Sequence, residues 1–376
     1  MQQVRNRTIK ISKHKNKKNI AKLGKRSFSP SINRVLSIKN KKLFKRSNKK
    51  TKKIKKIFDK RCKNNEIYFK NKQLCKNYKS RESQKLMLKN LEASMIVRNP
   101  NIIVAPKQYQ SNCWFNTMFM TLFVSDKGRK FFKYFRDLMI TGKRVTDKNK
   151  IVNVPSKLHN TLFLLNKMID MTLQGSLGNN DTNDVIRGIF NNIPSSNHGM
   201  LVKTGQASNP LDFYFSLMNY LNDKRIRIEL LTIDTDYTQS NIISIINLFI
   251  ENKKSISTKY KLPHIIVLEY FDSSSKNKTD TPQNFSLIEN NKKITYKLDS
   301  SVVRNTERHH FCSTLTINGK EFGFDGISYH RLNRFNWKKV INLNKNWTFK
   351  GSTNTGKDKI LWNFRNSYQL LFYYRI

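Results

Sequence analysis

The sequence predicts an α+β fold for residues 101–376, and three observations support this class. Apolar residues recur at helical spacing between about residues 113 and 221, whereas strand-like patterns follow from residue 226. Helices and strands therefore occupy successive parts of the chain, which is typical of α+β proteins. The dipeptide Asn318-Gly319 is a strong hairpin signal and predicts that two of the strands run antiparallel.

Four helices are predicted before the sheet. The first extends from residue 113 to about residue 140, and the second covers residues 157–173, where leucines recur every three or four positions. The third covers residues 182–190. The fourth covers residues 210–221 and begins with Pro210, a residue favoured in the first turn of a helix.

Five strands are predicted after residue 225 from their β-branched and aromatic content. They cover residues 226–233, 264–270, 293–298, 311–317 and 322–324.

The N-terminal part of the chain is far more basic than the rest. The net charge of the whole chain is +47, and residues 1–90 hold 32 lysines and arginines against three acidic residues. Residues 1–80 show no sustained period, which predicts a disordered lysine-rich tail, and residues 81–100 predict a linker helix that ends at Asn99-Pro100. Such a polycation would bind nucleic acid nonspecifically through residues 1–90. An acidic membrane surface, a nuclear import receptor or simple AT-rich genome bias would equally explain the charge.

Other compositional features narrow the class of protein. No run of 18 apolar residues and no signal-peptide-like stretch occurs, so we expect no membrane span and an intracellular location, in the cytoplasm or nucleus. There are four cysteines and no Cys-x-x-Cys pair. We therefore expect neither a stabilising disulfide nor a structural metal site, and no cofactor.

Cys113 is the candidate nucleophile. It lies between an irregular Gln/Ser/Asn segment and an apolar helix, so it is expected in the first helical turn, where the positive helix end favours a thiolate. The backbone N–H groups of that turn would face a tetrahedral oxyanion, and the amides of Gln108 and Asn112 are candidate additional donors. The alternative is that Cys113 is simply a small buried residue at a helix start.

His310 is the candidate general base and Asp325 its orienting carboxylate. The two residues flank the predicted hairpin at Asn318-Gly319, which would bring their side chains together. His309 is an alternative base, because it stands directly beside His310. A surface histidine pair and an ordinary Asp-Gly turn are the non-catalytic interpretations.

Residues 112–123, Asn-Cys-Trp-Phe-Asn-Thr-Met-Phe-Met-Thr-Leu-Phe, resemble the cysteine box of the ubiquitin-specific proteases. Other segments that resemble the family occur in the same order: Gln206 with Asp212-Phe213, Leu217 and Leu221; residues 262–268; Tyr296-Lys297-Leu298; Val302-Val303; His310-Phe311; Phe324-Asp325; and residues 367–375, which resemble the family's last strand.

The resemblance implies a papain-like fold with a helical thumb and an antiparallel β palm, in which Cys113, His310 and Asp325 form the triad. It places Gln108 where the family has an oxyanion asparagine. The interval of 197 positions from Cys113 to His310 is too short for the family's zinc fingers. The expected activity is removal of ubiquitin or a ubiquitin-like modifier from conjugates.

Two alternative functions stay open. One is processing of a protein precursor, for example during particle maturation of a large DNA virus, a source that the Lys/Asn-rich composition and the compact domain suggest. The other is a basic nucleic-acid-binding protein with a relic peptidase domain.

Overall fold

The computed structural model describes residues 54–177, 181–225, 229–233, 242–256, 260–272, 280–307, 309–327, 331–349 and 360–376. The α-helices in this part of the chain are α1 (Arg81–Ser94), α2 (Cys113–Phe123), α3 (Asp126–Phe131), α4 (Lys133–Thr141), α5 (Ser156–Gln174), α6 (Asn183–Asn192), α7 (Pro210–Leu221), α8 (Ile242–Ile256) and α9 (Trp337–Val340). None of them is long and apolar enough to cross a membrane.

The strands of the described residues are β1 (Glu66–Phe69), β2 (Leu74–Asn77), β3 (Lys143–Val145), β4 (Ile151–Asn153), β5 (Glu229–Ile233), β6 (Ile265–Tyr270), β7 (Asn284–Glu289), β8 (Lys292–Arg304), β9 (Phe311–Ile317), β10 (Lys320–Phe324), β11 (Asn333–Arg334) and β12 (Gln369–Arg375). The main sheet has the order β11-β10-β9-β8-β12-β6-β5, and β7 pairs with the first half of β8. β5 is parallel to β6, and the other pairs of this sheet are antiparallel.

The main sheet has an apolar core on each face. The first core lies between the sheet and the helices that precede it, and the second lies between the sheet, α8 and the aromatic residues around Trp347 and Trp362. In β6, Ile265 and Val267 belong to the first core, while Ile266 and Leu268 belong to the second. Because both of its faces are covered, β6 is apolar at nearly every position instead of alternating.

The N-terminal region corrects the prediction of a tail. Residues 1–53 lie outside the described residues, but residues 54–80 contain the β1–β2 hairpin, which a Cys62–Cys75 disulfide joins. Ile67 and Tyr78 are fully buried in a small third core with Phe163 of α5. The expectation of disorder is therefore wrong for residues 54–80, and so is the expectation of no disulfide. The apolar residues of this region are too few to show a helical or strand period in the sequence. Their burial depends on helices that lie far along the chain.

Helix α1 is part of the fold and not a linker. Met87 and Leu91 are buried in the third core. Near its end, the hydroxyl of Ser94 accepts a hydrogen bond from Nη1 of the buried Arg136 at 2.8 Å. The helix is thus fixed on α4, the element that carries Arg136.

The predicted helix from residue 113 to 140 is divided into α2, α3 and α4. The break occurs at Ser125, whose hydroxyl donates to the carbonyl of Thr121 at 2.8 Å and accepts from the N–H of Gly128 at 3.1 Å. A serine that caps a new helix in this way competes with continuation of the old one. At Gly128 a Cβ would overlap the carbonyl oxygen of Thr121, so the chain can approach α2 this closely only with glycine.

The remaining elements agree with the sequence to different degrees. α5, α6 and α7 lie within a few residues of their predictions, and β6, β8, β9 and β10 include the predicted segments almost completely. Of the predicted strand 226–233, residues 226–228 lie outside the described residues. α8 and β7 were not predicted.

Candidate active site

Cys113 is the first residue of α2 and its side chain is buried, with an exposed fraction of 6%. The N–H groups of Phe115 and Asn116 already donate to the carbonyl of Asn112, which closes the first turn. The N–H groups at the very start of a helix have no intrahelical acceptor and carry a partial positive charge. The start of α2 therefore lies where a developing oxyanion would be stabilised.

The segment before Cys113 is held by the start of α6. The Asn112 side chain donates to Oγ1 of Thr182 at 2.9 Å and to Oδ1 of Asp181 at 3.4 Å, and its own Oδ1 accepts from the N–H of Tyr109 at 3.0 Å. Asn183 adds a bond from its amide to the carbonyl of Tyr109 at 2.8 Å. Both amide hydrogens of Asn112 are thus engaged. In this structure Asn112 fixes the turn, and a donation from it to an oxyanion stays a prediction.

His310 and Asp325 are brought together by the β9–β10 hairpin. Nε2 of His310 donates to Oδ1 of Asp325 at 2.6 Å, and the exposed fractions of the two residues are 4% and 0%. The same Oδ1 accepts from the N–H of Ile327 at 3.0 Å, which fixes the carboxylate. Nδ1 of His310 is buried and forms no aligned hydrogen bond within the described residues.

The charged form of His310 is stabilised by its neighbours. Burial alone would lower the pKa of this imidazole, but the hydrogen bond to Asp325 and the interaction with the Cys113 thiol outweigh it and raise the pKa to about 9. The ring is thus bonded to the carboxylate and also interacts with the thiol. This is the arrangement of a nucleophile, a base and an orienting group.

Asn305 determines the position of the histidine backbone. Its Oδ1 accepts from the N–H groups of both His309 and His310 at 2.8 Å, and its own N–H donates to the carbonyl of His310 at 2.8 Å. The His309 side chain is exposed, whereas His310 is buried against Asp325. The geometry therefore brings His310, and not His309, to the carboxylate. No sequence pattern singles out Asn305.

Gln108 lies against the turn that follows Asp325. Its N–H donates to the carbonyl of Gly326 at 3.0 Å. Its Oε1 is buried without a hydrogen-bond partner within the described residues. The residue as a whole is half-buried.

Neither a protein-family model nor a curated protein matches the chain. Among solved structures, it is similar to the SAGA DUB module of Ubp8, Sgf11, Sus1 and Sgf73 bound to monoubiquitin, at 11% identity and a TM-score of 0.43. It is also similar to the same DUB module bound to ubiquitin aldehyde, at 12% identity and a TM-score of 0.45. Each match covers 83% of this chain and 81% of the other. At these values the likeness carries no functional argument, which rests instead on the geometry around Cys113.

Asp212 of α7 and Glu269 of β6 form an acidic pair. Burial and the neighbouring Glu269 raise the pKa of Asp212 to about 6. Oε1 of Glu269 accepts from the hydroxyl of Tyr368 at 2.6 Å, and the Tyr368 ring contacts that of Phe311, directly after His310, at a centroid distance of 6.1 Å. The pair is thus joined through Tyr368 to Phe311, the residue that follows His310 in the chain.

The described residues contain one group of three potential metal ligands, and it lies outside this site. One ligand atom each of Cys62, Cys75 and Glu66 lies within 4.8 Å of the others. The two sulfurs form a disulfide and are not thiolates, the form that binds metal ions. Cys113 and Cys312 are free.

Proposed function

We propose that the chain is a cysteine peptidase of the ubiquitin-specific-protease type, with a papain-like helical thumb and β palm, that releases ubiquitin or a ubiquitin-like modifier. One observation carries the proposal: the buried His310 is bonded to Asp325 through Nε2 and interacts with Cys113, which lies at a helix start.

In the first half of the reaction, the Cys113 thiolate attacks the carbonyl carbon after the modifier's C-terminal glycine. A C–S bond forms and the carbonyl electrons move to oxygen, where the helix-start N–H groups and the Gln108 amide stabilise the oxyanion. The oxyanion then collapses and the C–N bond breaks. The His310 imidazolium gives its proton to the leaving lysine amine.

In the second half, water hydrolyses the thioester. Neutral His310 takes a proton from the attacking water, a second oxyanion forms in the same place, and the C–S bond breaks to return the thiolate. Asp325 keeps the Nε2–H of the ring directed at its carboxylate throughout, so that Nδ1 serves the proton transfers.

The half-buried Asp212, which lies beside the buried Glu269, would favour a substrate with a basic C-terminal tail. A positively charged side chain beside these two carboxylates would favour ionisation of Asp212, whose pKa is raised. A ubiquitin-like modifier would be such a substrate. The ubiquitin-specific proteases, which the sequence resembles, act on a modifier with a basic C-terminal tail.

The test is covalent labelling with ubiquitin and ubiquitin-like probes that carry a C-terminal electrophile. We expect one adduct on the wild-type chain, which is lost in Cys113→Ala and retained in Cys312→Ala, the matched variant of the other free cysteine. His310→Ala should lose labelling, while His309→Ala should keep it. The proposal fails if no probe reacts under conditions where a known isopeptidase does. Alkylation of Cys113 by iodoacetamide without any probe adduct would then indicate a different substrate.

A further inference from the structure

Helix α1 carries a line of positive charge on its exposed face. Arg81, Lys85 and Lys89 are all exposed and recur every four residues. This spacing places them on one side of the helix, about 6 Å apart along its axis. Lys55 and Lys56 are also exposed and lie beside the second half of α1, because Lys55 exchanges two backbone hydrogen bonds with the side chain of Asn90. We call these five residues the basic stripe.

The stripe is not neutralised by the acidic residues of its own helix. Glu82 forms an ion pair with Lys76 of β2, and Glu92 forms one with Lys133 of α4. Both glutamates of α1 are therefore engaged by lysines outside the stripe. The positive charges of the stripe stay available to an external anion.

The stripe is also held in place. The opposite side of α1 is buried through Met87 and Leu91, and Ser94 is bonded to the buried Arg136. An ordered surface loses less conformational entropy on binding than a free chain does. Rigidity distinguishes the stripe from lysines that merely keep a protein solvated.

Charge is concentrated in this part of the chain. Residues 54–94 hold 12 lysines and arginines against four acidic residues, whereas residues 95–376 hold 40 against 21. The adjoining residues 1–53 add 20 basic residues and no acidic ones. The stripe thus belongs to a region of the sequence, residues 1–94, in which basic residues far outnumber acidic ones.

We propose that the basic stripe binds the phosphate backbone of nucleic acid without reading its sequence. Regularly spaced cations on an ordered helix bind phosphates mainly through release of counterions. A membrane surface is a poorer match. An interfacial helix inserts an apolar face into the lipid, but the apolar face of α1 is already buried, and residues 54–95 expose no large apolar side chain among those described. The proposal is independent of the peptidase activity.

The experiment measures binding of the full chain to a 20-bp DNA duplex by fluorescence anisotropy between about 50 and 300 mM salt. The test variant is Arg81→Gln/Lys85→Gln/Lys89→Gln, which retains helix-forming residues. The matched control is Lys292→Gln/Lys293→Gln/Lys320→Gln, three exposed lysines of the main sheet with the same change in charge. A second variant, Lys85→Arg/Lys89→Arg, keeps the charge. Thermal melting establishes that each variant is folded.

For the stripe variant we expect the slope of log K against log salt to become shallower by about 2 to 3, and the affinity at 150 mM salt to fall by at least about 10-fold. The control and the arginine variant should bind like the wild type, and residues 1–53 should leave residual binding in every case. Equal losses in the stripe and control variants would overturn the proposal, since the charge would then act diffusely. An unchanged slope in the stripe variant would also overturn it. The proposal would also be overturned if the stripe variant bound DNA like the wild type but lost binding to phosphatidylserine vesicles. That result would assign the stripe to a membrane surface.

Discussion

Replacing Asp325 by asparagine perturbs the candidate site at one atom. Asparagine retains an Oδ1 that can accept from the N–H of Ile327, so the turn after β10 is preserved. What is lost is the negative charge 2.6 Å from Nε2 of His310. The amide can also present an N–H to the ring, which favours the wrong tautomer for proton transfer.

The magnitude follows from the pKa of His310. In the wild type it is raised from 6.5 to about 9 against the opposing effect of burial. This difference corresponds to about 3 kcal/mol in favour of the imidazolium. Without the carboxylate, burial should bring the pKa back toward or below 6.5. We therefore expect turnover of a ubiquitin–fluorophore substrate at pH 7.5 to fall by about 10²- to 10⁴-fold.

The pH dependence of stability gives a second readout. Because the folded pKa of His310 is raised, its stabilising contribution is fully present below pH 6.5 and is lost as the pH rises through about 9. Urea unfolding of the wild type at pH 6.5 and pH 10 should show this loss, up to about 3 kcal/mol from this group. In Asp325→Asn the loss from His310 should be largely absent. The exposed His309, replaced by alanine, is the matched control and should behave like the wild type. If Asp325→Asn turned over within about threefold of the wild type and kept the same alkaline loss of stability, the proposed coupling would be refuted.

Three further substitutions test the neighbouring residues. Asn305→Ala removes the acceptor for two backbone N–H groups. We therefore expect the free energy of unfolding in urea to fall by about 1–3 kcal/mol and the turnover rate to fall by at least about 10-fold. Asn305→Asp keeps an acceptor and should retain most of the stability and most of the activity. Gln108→Ala should lower kcat by about 10- to 1,000-fold with little change in the urea midpoint, and a parallel loss of stability would contradict an oxyanion role. Gly323→Ala places a Cβ that overlaps the ring of Phe349. It should lower the free energy of unfolding in urea by about 1–3 kcal/mol. An unfolding midpoint equal to that of the wild type would contradict this packing of β10.

The contact between His310 and Asp325 could be predicted because it depends on a local feature, the turn between β9 and β10. Asn318 and Gly319 both adopt positive φ angles, of 52° and 70°, as a tight two-residue hairpin requires. The turn pairs Ser313 with Phe324, so His310 and Asp325 lie diagonally opposite each other just beyond the paired residues. Long side chains at such diagonal positions can reach one another.

The bounds of α7 were predicted for a similar reason. Asn209 caps the helix by accepting the N–H of Leu211 at 2.9 Å, and Pro210 follows it with its φ angle already suited to a first turn. Turns and caps of this kind are encoded by a few consecutive residues. No knowledge of distant contacts is needed to recognise them.

Features that depend on distant contacts could not be predicted. The hydroxyl of Thr182 accepts a hydrogen bond from the Asn112 amide, although the two residues are 70 positions apart in the sequence. The residues around Asn112 therefore do not show whether its amide fixes a turn or binds an oxyanion. The folding of residues 54–80 depends on Phe163, which lies in another helix. The Cys62–Cys75 disulfide was missed because the number of cysteines says nothing about the distance between two of them, here 5.6 Å between Cα atoms.

The nucleophile and its base belong to different layers of the molecule. Cys113 starts a helix whose preceding turn is held by the start of α6. His310 and Asp325 lie at the ends of sheet strands, and Asn305 holds the backbone of His310. The two halves meet where α2 packs on β9 through the first apolar core. The separation between thiol and imidazole therefore depends on core packing as well as on the polar network. Substitutions that shrink this core should therefore lower turnover strongly while lowering the stability of the helical layer and of the sheet only slightly. Reactivity requires the thiol and the imidazole to keep their relative position, whereas folding tolerates a small shift between the two layers.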